Sequence, residues 1–421
     1  MSLGSSSSLS QTRGVSLGLA MWFIAVLAPL ILPEKACTLV YLALGAAALQ
    51  KRGLIGKRVL FPVLAPLLWI ALLGFVRDYS AATPRFVLQD VWRALKPLAI
   101  MYVGFAAISM SVERATFRAV AVASGAIYGL VYLGLLVFNS VTRGVMPLEL
   151  ADVLVYGHFP EALALGLSLR NRHLLDRRSA RMRQLRHLAI LIALTALLLS
   201  GSRTWIMATG IMVLAGSGWM RSRGRWRAVL LGGPALALFL FTPFGQVLFS
   251  KGFDVALLEL SPASYTEMSD INANWRGYEA FQGLSAYSDG TLVQKAMGQG
   301  FGAQADIGLY MNLGGSDFHQ IGQFHNGYVW LLLKTGWIGL FAFGLWMWRL
   351  IDSARKLKSA HLIADADILV GVIVTAGFTM IVVSGIYNTI SNDALLLAMG
   401  GLLVPLRAGG SEVERRPKER R

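Results

Sequence analysis

An all-α polytopic membrane protein is the fold this sequence predicts, and three observations predict it. Apolar runs of about 15 to 24 residues recur from one end of the chain to the other, lengths suited to helices in a bilayer. Only 15% of the 421 residues are charged and 55% are hydrophobic, where a soluble protein carries roughly 25% charged residues. The net charge of +16 is gathered in short loops between alternate runs, as in proteins whose basic loops set their topology. That placement argues against a basic surface for nucleic acid, so no nucleic-acid partner is expected.

Residues 1–14 are Ser-rich at Ser5–Ser8 and carry Arg13 as their charge. No small-x-small cleavage pattern follows the first apolar run, so it is read as a retained first span. The expected spans are 15–32, 36–50, 59–76, 95–110, 119–138, 151–169, 187–201, 204–220, 228–243, 326–348, 366–387 and 391–406, twelve in all. Several fall short of the ~20 residues of an upright span, so tilt or extended ends are expected. Cys37 is the single cysteine and excludes an intramolecular disulfide.

Orientation follows from the loops. Basic clusters stand at Lys51–Arg58, Arg114–Arg118, Arg170–Arg186, Arg221–Arg227, Arg355–Lys358 and Arg415–Arg421. They occupy alternate loops, which the positive-inside rule assigns to the cytoplasm together with both termini. The organisation is then a cytoplasmic tail 1–14, spans one to nine over 15–243, a long periplasmic loop with helices over 244–325, spans ten to twelve over 326–406, and a basic tail 407–421. From Phe244 to Gln323 the long loop has eight acidic residues against three basic ones, the reverse of the inner loops. A second outward segment, Pro84 to Lys96, sets Phe86, Leu88, Val91, Trp92 and Leu95 among Arg85, Arg93 and Lys96. It reads as a short interfacial amphipathic helix or as a tucked connector.

Three outward-facing groups are candidates for chemistry. Arg203 ends a Ser200-Gly201-Ser202 turn between two apolar runs, where its planar fork suits phosphate oxygens; the alternative is an arginine snorkelling to headgroups. Arg276 lies in Asn272–Tyr287 on an expected helix that puts Trp275, Tyr278 and Gln282 on one side. It suits a sugar phosphate with aromatic faces for sugar rings, or else an i,i+3 pair with Glu279. His325 stands in Phe324-His325-Asn326-Gly327-Tyr328, where the loop re-enters the membrane. An imidazole there is suited to take a proton from a hydroxyl near neutral pH, or else to cap the span. His319 lies in a Gly/Ser/Asp-rich stretch that reads as surface.

Other features carry less. Asp365-Ala-Asp367 has the spacing of a nucleotide-sugar metal motif, but it falls on the cytoplasmic side and reads as helix-start carboxylates. No outward His/Cys/carboxylate cluster has metal-ligand spacing, so no metal is expected. Gly298-x-Gly300-x-Gly302 lacks the strand-then-helix context of a dinucleotide loop. No Ser/His/carboxylate arrangement points to a serine hydrolase. Within spans, His158 and Glu161 flank Pro160 and mark a possible polar pocket. Lys334, nine residues after His325 and about 13 Å deeper on the opposite helix face, is expected to pair away from the His325 site.

Ser200–Thr204, Trp275-Arg276 in a long outer loop, and His325–Tyr328 opening the next span together resemble the O-antigen ligase/polymerase superfamily. The likeness covers roughly a third of the chain, from span seven to span ten. One dominant outer loop resembles the ligase more than the polymerase. The resemblance implies a metal-independent, cofactor-free, inverting glycosyltransferase of the GT-C type in the bacterial inner membrane, with its active site facing the periplasm. It would move a preassembled O-antigen from an undecaprenyl-pyrophosphate donor to a lipid A-core acceptor, among membrane lipids. Carried over, Arg203 and Arg276 would hold the pyrophosphate and His325 would act on the acceptor hydroxyl. Trp275, Tyr278, Asn326, His158 and Glu161 are secondary candidates. The alternatives are a polymerase of the same glycan, a protein O-oligosaccharyltransferase using the same donor, or a membrane transporter.

Overall fold

Leu- and Ala-rich runs without interior polar breaks fold as helices in a computed structural model of the chain. It describes residues 6–52, 57–75, 84–110, 114–144, 157–170, 180–221, 262–313, 316–356, 360–383, 385–387 and 390–404. The first eight helices are α1 (Ser6–Ile31), α2 (Glu34–Arg52), α3 (Lys57–Leu73), α4 (Pro84–Met110), α5 (Arg114–Arg143), α6 (Phe159–Arg170), α7 (Ala180–Leu199) and α8 (Arg203–Gly216). The long loop between α8 and α12 contributes short helices α9 (Met268–Ala273), α10 (Trp275–Ser288) and α11 (Leu292–Met297), then strands β1 (Ala305–Leu313) and β2 (Ser316–Ile321). The chain re-enters the bundle as α12 (Gly327–Lys356), α13 (Ala360–Val382) and α14 (Asp393–Leu402).

Helices satisfy their own backbone groups, which an apolar solvent demands. Among the described residues four helices have the length and apolarity to cross a membrane: α4, Arg118–Arg143 of α5, α12, and Leu362–Val382 of α13. Four more are apolar but shorter: Leu17–Ile31, Leu60–Leu73, α8 and α14. The expected span 228–243, residues 244–261 and the basic tail lie outside the described residues.

Close packing of α4 on α14 sits at the centre of the bundle. A Cβ added to Gly104 would stand 2.0 Å from the Leu397 carbonyl oxygen, and one added to Gly400 would stand 2.0 Å from that of Met101. Glycines on both helices let the backbones touch, the usual way helices associate among lipids. Lys96 and Asp393 form a buried pair across this seam at 2.6 Å.

One end of the bundle is tied by arginines. Arg118 of α5 pairs with Asp365 of α13 at 2.7 Å, and Arg170 of α6 pairs with Asp367 at 2.6 Å. Three segments that the charge pattern assigns to one side thus meet. Asp365 and Asp367 are not helix-start charges: α13 begins at Ala360, and the two carboxylates, buried a turn later, need cationic partners.

Pro84–Lys96 is not a separate interfacial helix. It runs without interruption into α4, with Pro97 inside the helix. Asp90, Arg93 and Lys96 find partners within the protein, so this stretch is held by the bundle. The span expected at 326–348 is broken at Gly336, whose φ of 66° and ψ of −171° are non-helical. The carbonyls released by the break accept from the outer loop: Gln299 N–H donates to Leu333 O (2.7 Å) and Gly300 N–H to Lys334 O (3.1 Å). The Gly298–Gly302 run is therefore the part of the outer loop that docks into a broken helix. Strands were not expected there; β1 and β2 pair antiparallel, with Asp306 opposite Gln320.

Candidate functional site

Three elements enclose a cavity of about 380 Å³. Helix α4 contributes Arg85, Phe86, Gln89, Asp90 and Arg93; α10 contributes Trp275 and Glu279; the end of β2 and the connection to α12 contribute Gln320, Ile321, Gly322, Gln323 and His325.

His325 is placed by its neighbours on both sides. Phe324 is fully buried against Gly283 of α10, where an added Cβ would come within 2.7 Å of its ring. Asn326 caps α12: its Oδ1 accepts from Tyr328 N–H (3.0 Å) and Val329 N–H (3.3 Å), filling orphan donors of the first turn. Between these anchors Glu279 grips His325 twice. Its Oε1 accepts the His325 backbone N–H at 2.7 Å, and its Oε2 lies 2.7 Å from Nδ1. Glu279 is 3% exposed and the His325 side chain 48%, so the carboxylate is shielded while the ring reaches solvent. A carboxylate on Nδ1 favours the tautomer with its proton there, leaving Nε2 as the acceptor.

The cationic wall belongs to α4. Arg93 donates to the Gln323 side-chain oxygen and lies 3.5 Å from Asp90. Arg85 is exposed at the rim. Trp275 supplies an aromatic face beside Glu279, and Gln89, Gln320 and Gln323 supply amide groups. The wall thus joins guanidinium groups for phosphate to an aromatic ring and amides for sugar hydroxyls.

The sequence candidates separate. His325 and Trp275 line the cavity; Arg203 and Arg276 are not part of its wall. Arg276 is half-buried in the first turn of α10, and both carboxylate oxygens of Glu279, its expected i+3 partner, are engaged by His325. Arg203 is exposed at the start of α8. Trp205 packs on Phe159 at the start of α6, and α6 runs from there to the Arg170–Asp367 pair. Arg203 therefore opens its helix at the end of the bundle away from that pair. His325 does the same, because α12 and α13 are antiparallel neighbours and Tyr328 donates to Gly377 O near the far end of α13.

Tyr278 faces inward at 4% exposure, and its hydroxyl donates to Ile307 O of β1 at 2.7 Å; it joins α10 to the hairpin and offers no stacking face. Asn326 acts as the helix cap just described. His158 and Glu161 are buried and paired at 3.0 Å, with Tyr132 edge-on to the imidazole at a centroid separation of 4.4 Å. They do not line the cavity. Lys334 does not pair away from the site as expected: its partner, at 2.6 Å, is Asp90, which lines the same cavity as His325, because α4 brings that carboxylate to the buried face of α12. His319 pairs with Asp306 on the hairpin at 3.2 Å. Near the site, burial raises the Tyr287 hydroxyl above its ordinary value; it stays a donor to Lys295 O at 2.9 Å and ties α10 to α11.

Sequence reasoning missed Glu279 as the partner of His325, and Arg85, Arg93 and Asp90 as wall residues. Arg85 and Arg93 carried a signal, since arginines in an outward segment run against the positive-inside rule. Nothing local marked Glu279, 46 positions from His325. Among the described residues no group of three or more His, Cys, Asp or Glu is placed to hold a metal ion.

A search of curated proteins found no match to the chain. Residues 188–344 match the family model described as O-antigen ligase. That region runs from within α7 into α12 and carries Arg203, Arg276, Glu279 and His325, so the likeness to that family takes in the Glu279–His325 pair.

Proposed function

We propose that this protein is an O-antigen ligase. It transfers a preassembled O-antigen from undecaprenyl pyrophosphate to a hydroxyl of a lipid A-core oligosaccharide, with inversion and without a metal or cofactor. The cavity faces the periplasm in this reading, and the end tied by Arg118 and Arg170 faces the cytoplasm of a bacterial inner-membrane protein. The single observation that carries the reading is the Glu279–His325 pair, itself inside the region matched to O-antigen ligase, opening into a cavity that Arg85 and Arg93 wall from outside that region.

The chemistry follows from those groups. Nε2 of His325 takes the proton of the acceptor hydroxyl as its oxygen attacks the anomeric carbon. The imidazolium formed is stabilised by the Glu279 carboxylate, as in other carboxylate–histidine pairs. The anomeric C–O bond to the pyrophosphate breaks, and the negative charge passing to the leaving group is met by guanidinium donors aimed at its oxygens. Arg85 and Arg93 are in the wall to do this. Arg203 and Arg276, which do not line the cavity, are carried over from the family resemblance for the same task. Trp275 offers an apolar face to a sugar ring.

The test is purified protein with undecaprenyl-pyrophosphate-linked glycan and lipid A-core, followed by gel analysis of the product. Ligation in this two-substrate system, lost in His325→Ala, supports the reading. Lengthening of the lipid-linked glycan with no transfer to the core would assign a polymerase. Transfer to a Ser/Thr peptide alone would assign a protein O-oligosaccharyltransferase. No turnover of the lipid-linked donor would sink all three.

A further inference from the structure

We infer that Asp90 is a positioning residue for this site: its carboxylate, neutralised by buried Lys334, holds the Arg93 guanidinium at the cavity wall. The inference rests on reading the cavity as a pyrophosphate site. Asp90 is 2% exposed and Lys334 0%. Oδ2 of Asp90 lies 2.6 Å from Lys334 Nζ and accepts the Gly302 N–H at 2.8 Å. Oδ1 accepts from Trp330 Nε1 at 3.4 Å and from Arg93 Nη1 at 3.5 Å. Lys334 donates further to Ala303 O.

A carboxylate has about four lone-pair sites, and here each of four donors has one. Two of the four are charged, and they differ in kind. Lys334 is sealed in the bundle and neutralises the carboxylate. Arg93 keeps 15% of its side chain exposed and reaches Gln323 on the far side of the cavity. Held between Asp90 and Gln323, the guanidinium spans from α4 to the segment leading into His325. Without Asp90 its remaining hydrogen-bond partner among the described residues is Gln323, with the Glu34 carboxylate acting on it through charge alone, and its other N–H groups lose their fixed direction toward the cavity.

A merely structural role for the Asp90–Lys334 pair predicts something different, and the double variant Asp90→Asn/Lys334→Met separates the two. Replacing a buried ion pair by neutral groups of similar size is often neutral for stability, so this variant of the full chain should melt within a few degrees of wild type in detergent. Two readouts are then compared. The rate of phenylglyoxal modification of Arg93, followed by peptide mass spectrometry without substrate, should rise severalfold. The affinity for farnesyl pyrophosphate, a short polyprenyl pyrophosphate, should fall about 10- to 100-fold, as when a charged hydrogen bond is misaimed. Adding Arg93→Ala to the double variant should weaken binding no further.

Unchanged Arg93 reactivity in a stably folded double variant overturns the inference. So does wild-type affinity for farnesyl pyrophosphate when wild type itself binds it. Failure of wild type to bind the probe would instead count against the pyrophosphate reading, with Arg93 reactivity still deciding whether Asp90 holds the arginine. If the double variant unfolds, the apolar replacement Asp90→Leu/Lys334→Met gives the same comparison: it removes the carboxylate and its counter-charge together, Arg93 reactivity should rise severalfold, and wild-type reactivity overturns the inference.

Discussion

Glu279→Gln tests the proposed base most sharply, because the substitution keeps the shape and removes the charge. In the protein the carboxylate makes two contacts of 2.7 Å with His325, one to the backbone N–H and one to Nδ1. A glutamine oxygen can keep one of these, while its NH₂ group facing the other nitrogen would repel an N–H. Satisfying both requires the ring to place its proton on Nε2, the atom needed as acceptor. The analogous change in a serine-protease triad costs ~10⁴-fold in kcat. Here the imidazole is 48% exposed, so water stabilises part of the developing charge and allows a minority tautomer. We therefore expect a loss of ~10²–10³-fold in kcat, or about 3–4 kcal/mol of transition-state stabilisation. Exchanging charged for neutral hydrogen bonds should lower stability by only about 1–2 kcal/mol. The assay is the two-substrate ligation reaction at saturating donor, with thermal unfolding in detergent run in parallel. A folded Glu279→Gln protein with wild-type kcat would refute the claim that Glu279 sets the tautomer of a catalytic His325.

Arg203→Lys should cut ligation by ~10²-fold or more with normal membrane insertion, since a point charge cannot reproduce a bidentate fork; near-normal lipopolysaccharide ladders from this mutant would remove Arg203 from the site. Gly336→Ala puts a Cβ 2.3 Å from the Ala296 carbonyl oxygen at a φ of +66°, so it should cost on the order of 2 kcal/mol or more. Thermal unfolding reads this loss, and faster proteolysis between α11 and β1 should accompany it. Arg118→Ala leaves Asp365, 3% exposed, as an uncompensated buried charge, and should lower stability by about 3 kcal/mol. Because that pair sits at the far end of the bundle, kcat at a permissive temperature should remain within twofold of wild type.

The helices were legible because periodicity and apolar content act locally: α3, α8 and α13 lie where the composition places them. His325 was legible for a similar reason, as the one histidine at a loop-to-span boundary on the outward side. What the sequence hid depends on tertiary partners. The break in α12 hangs on one glycine, and Gly336 looks no different from Gly339 until α11 packs against it. The outward half of α4 carries Asp90 and Lys96, which local reasoning sends to a membrane surface; two buried partners, Lys334 and Asp393, let them stay inside. Motif order along the chain gave Arg203, Arg276 and His325 as a set. Order does not fix convergence, and the cavity around His325 takes its guanidinium groups from Arg85 and Arg93 instead.

That exchange bears on how much of the chain the function needs. The matched region, 188–344, contains the proposed base and the carboxylate that orients it. It contains none of the α4 wall. The outer loop itself leans on parts of the chain that precede the match: Phe301 N–H donates to Gly74 O at 2.7 Å, and Gly302 N–H donates to Asp90. A fragment limited to 188–344 would keep Glu279 and His325 but would leave both backbone donors unsatisfied and the cavity without Arg85 and Arg93. The matched segment is best regarded as half of a site, completed by a helix whose polar residues are tolerated in the bundle because the C-terminal helices supply their counter-charges.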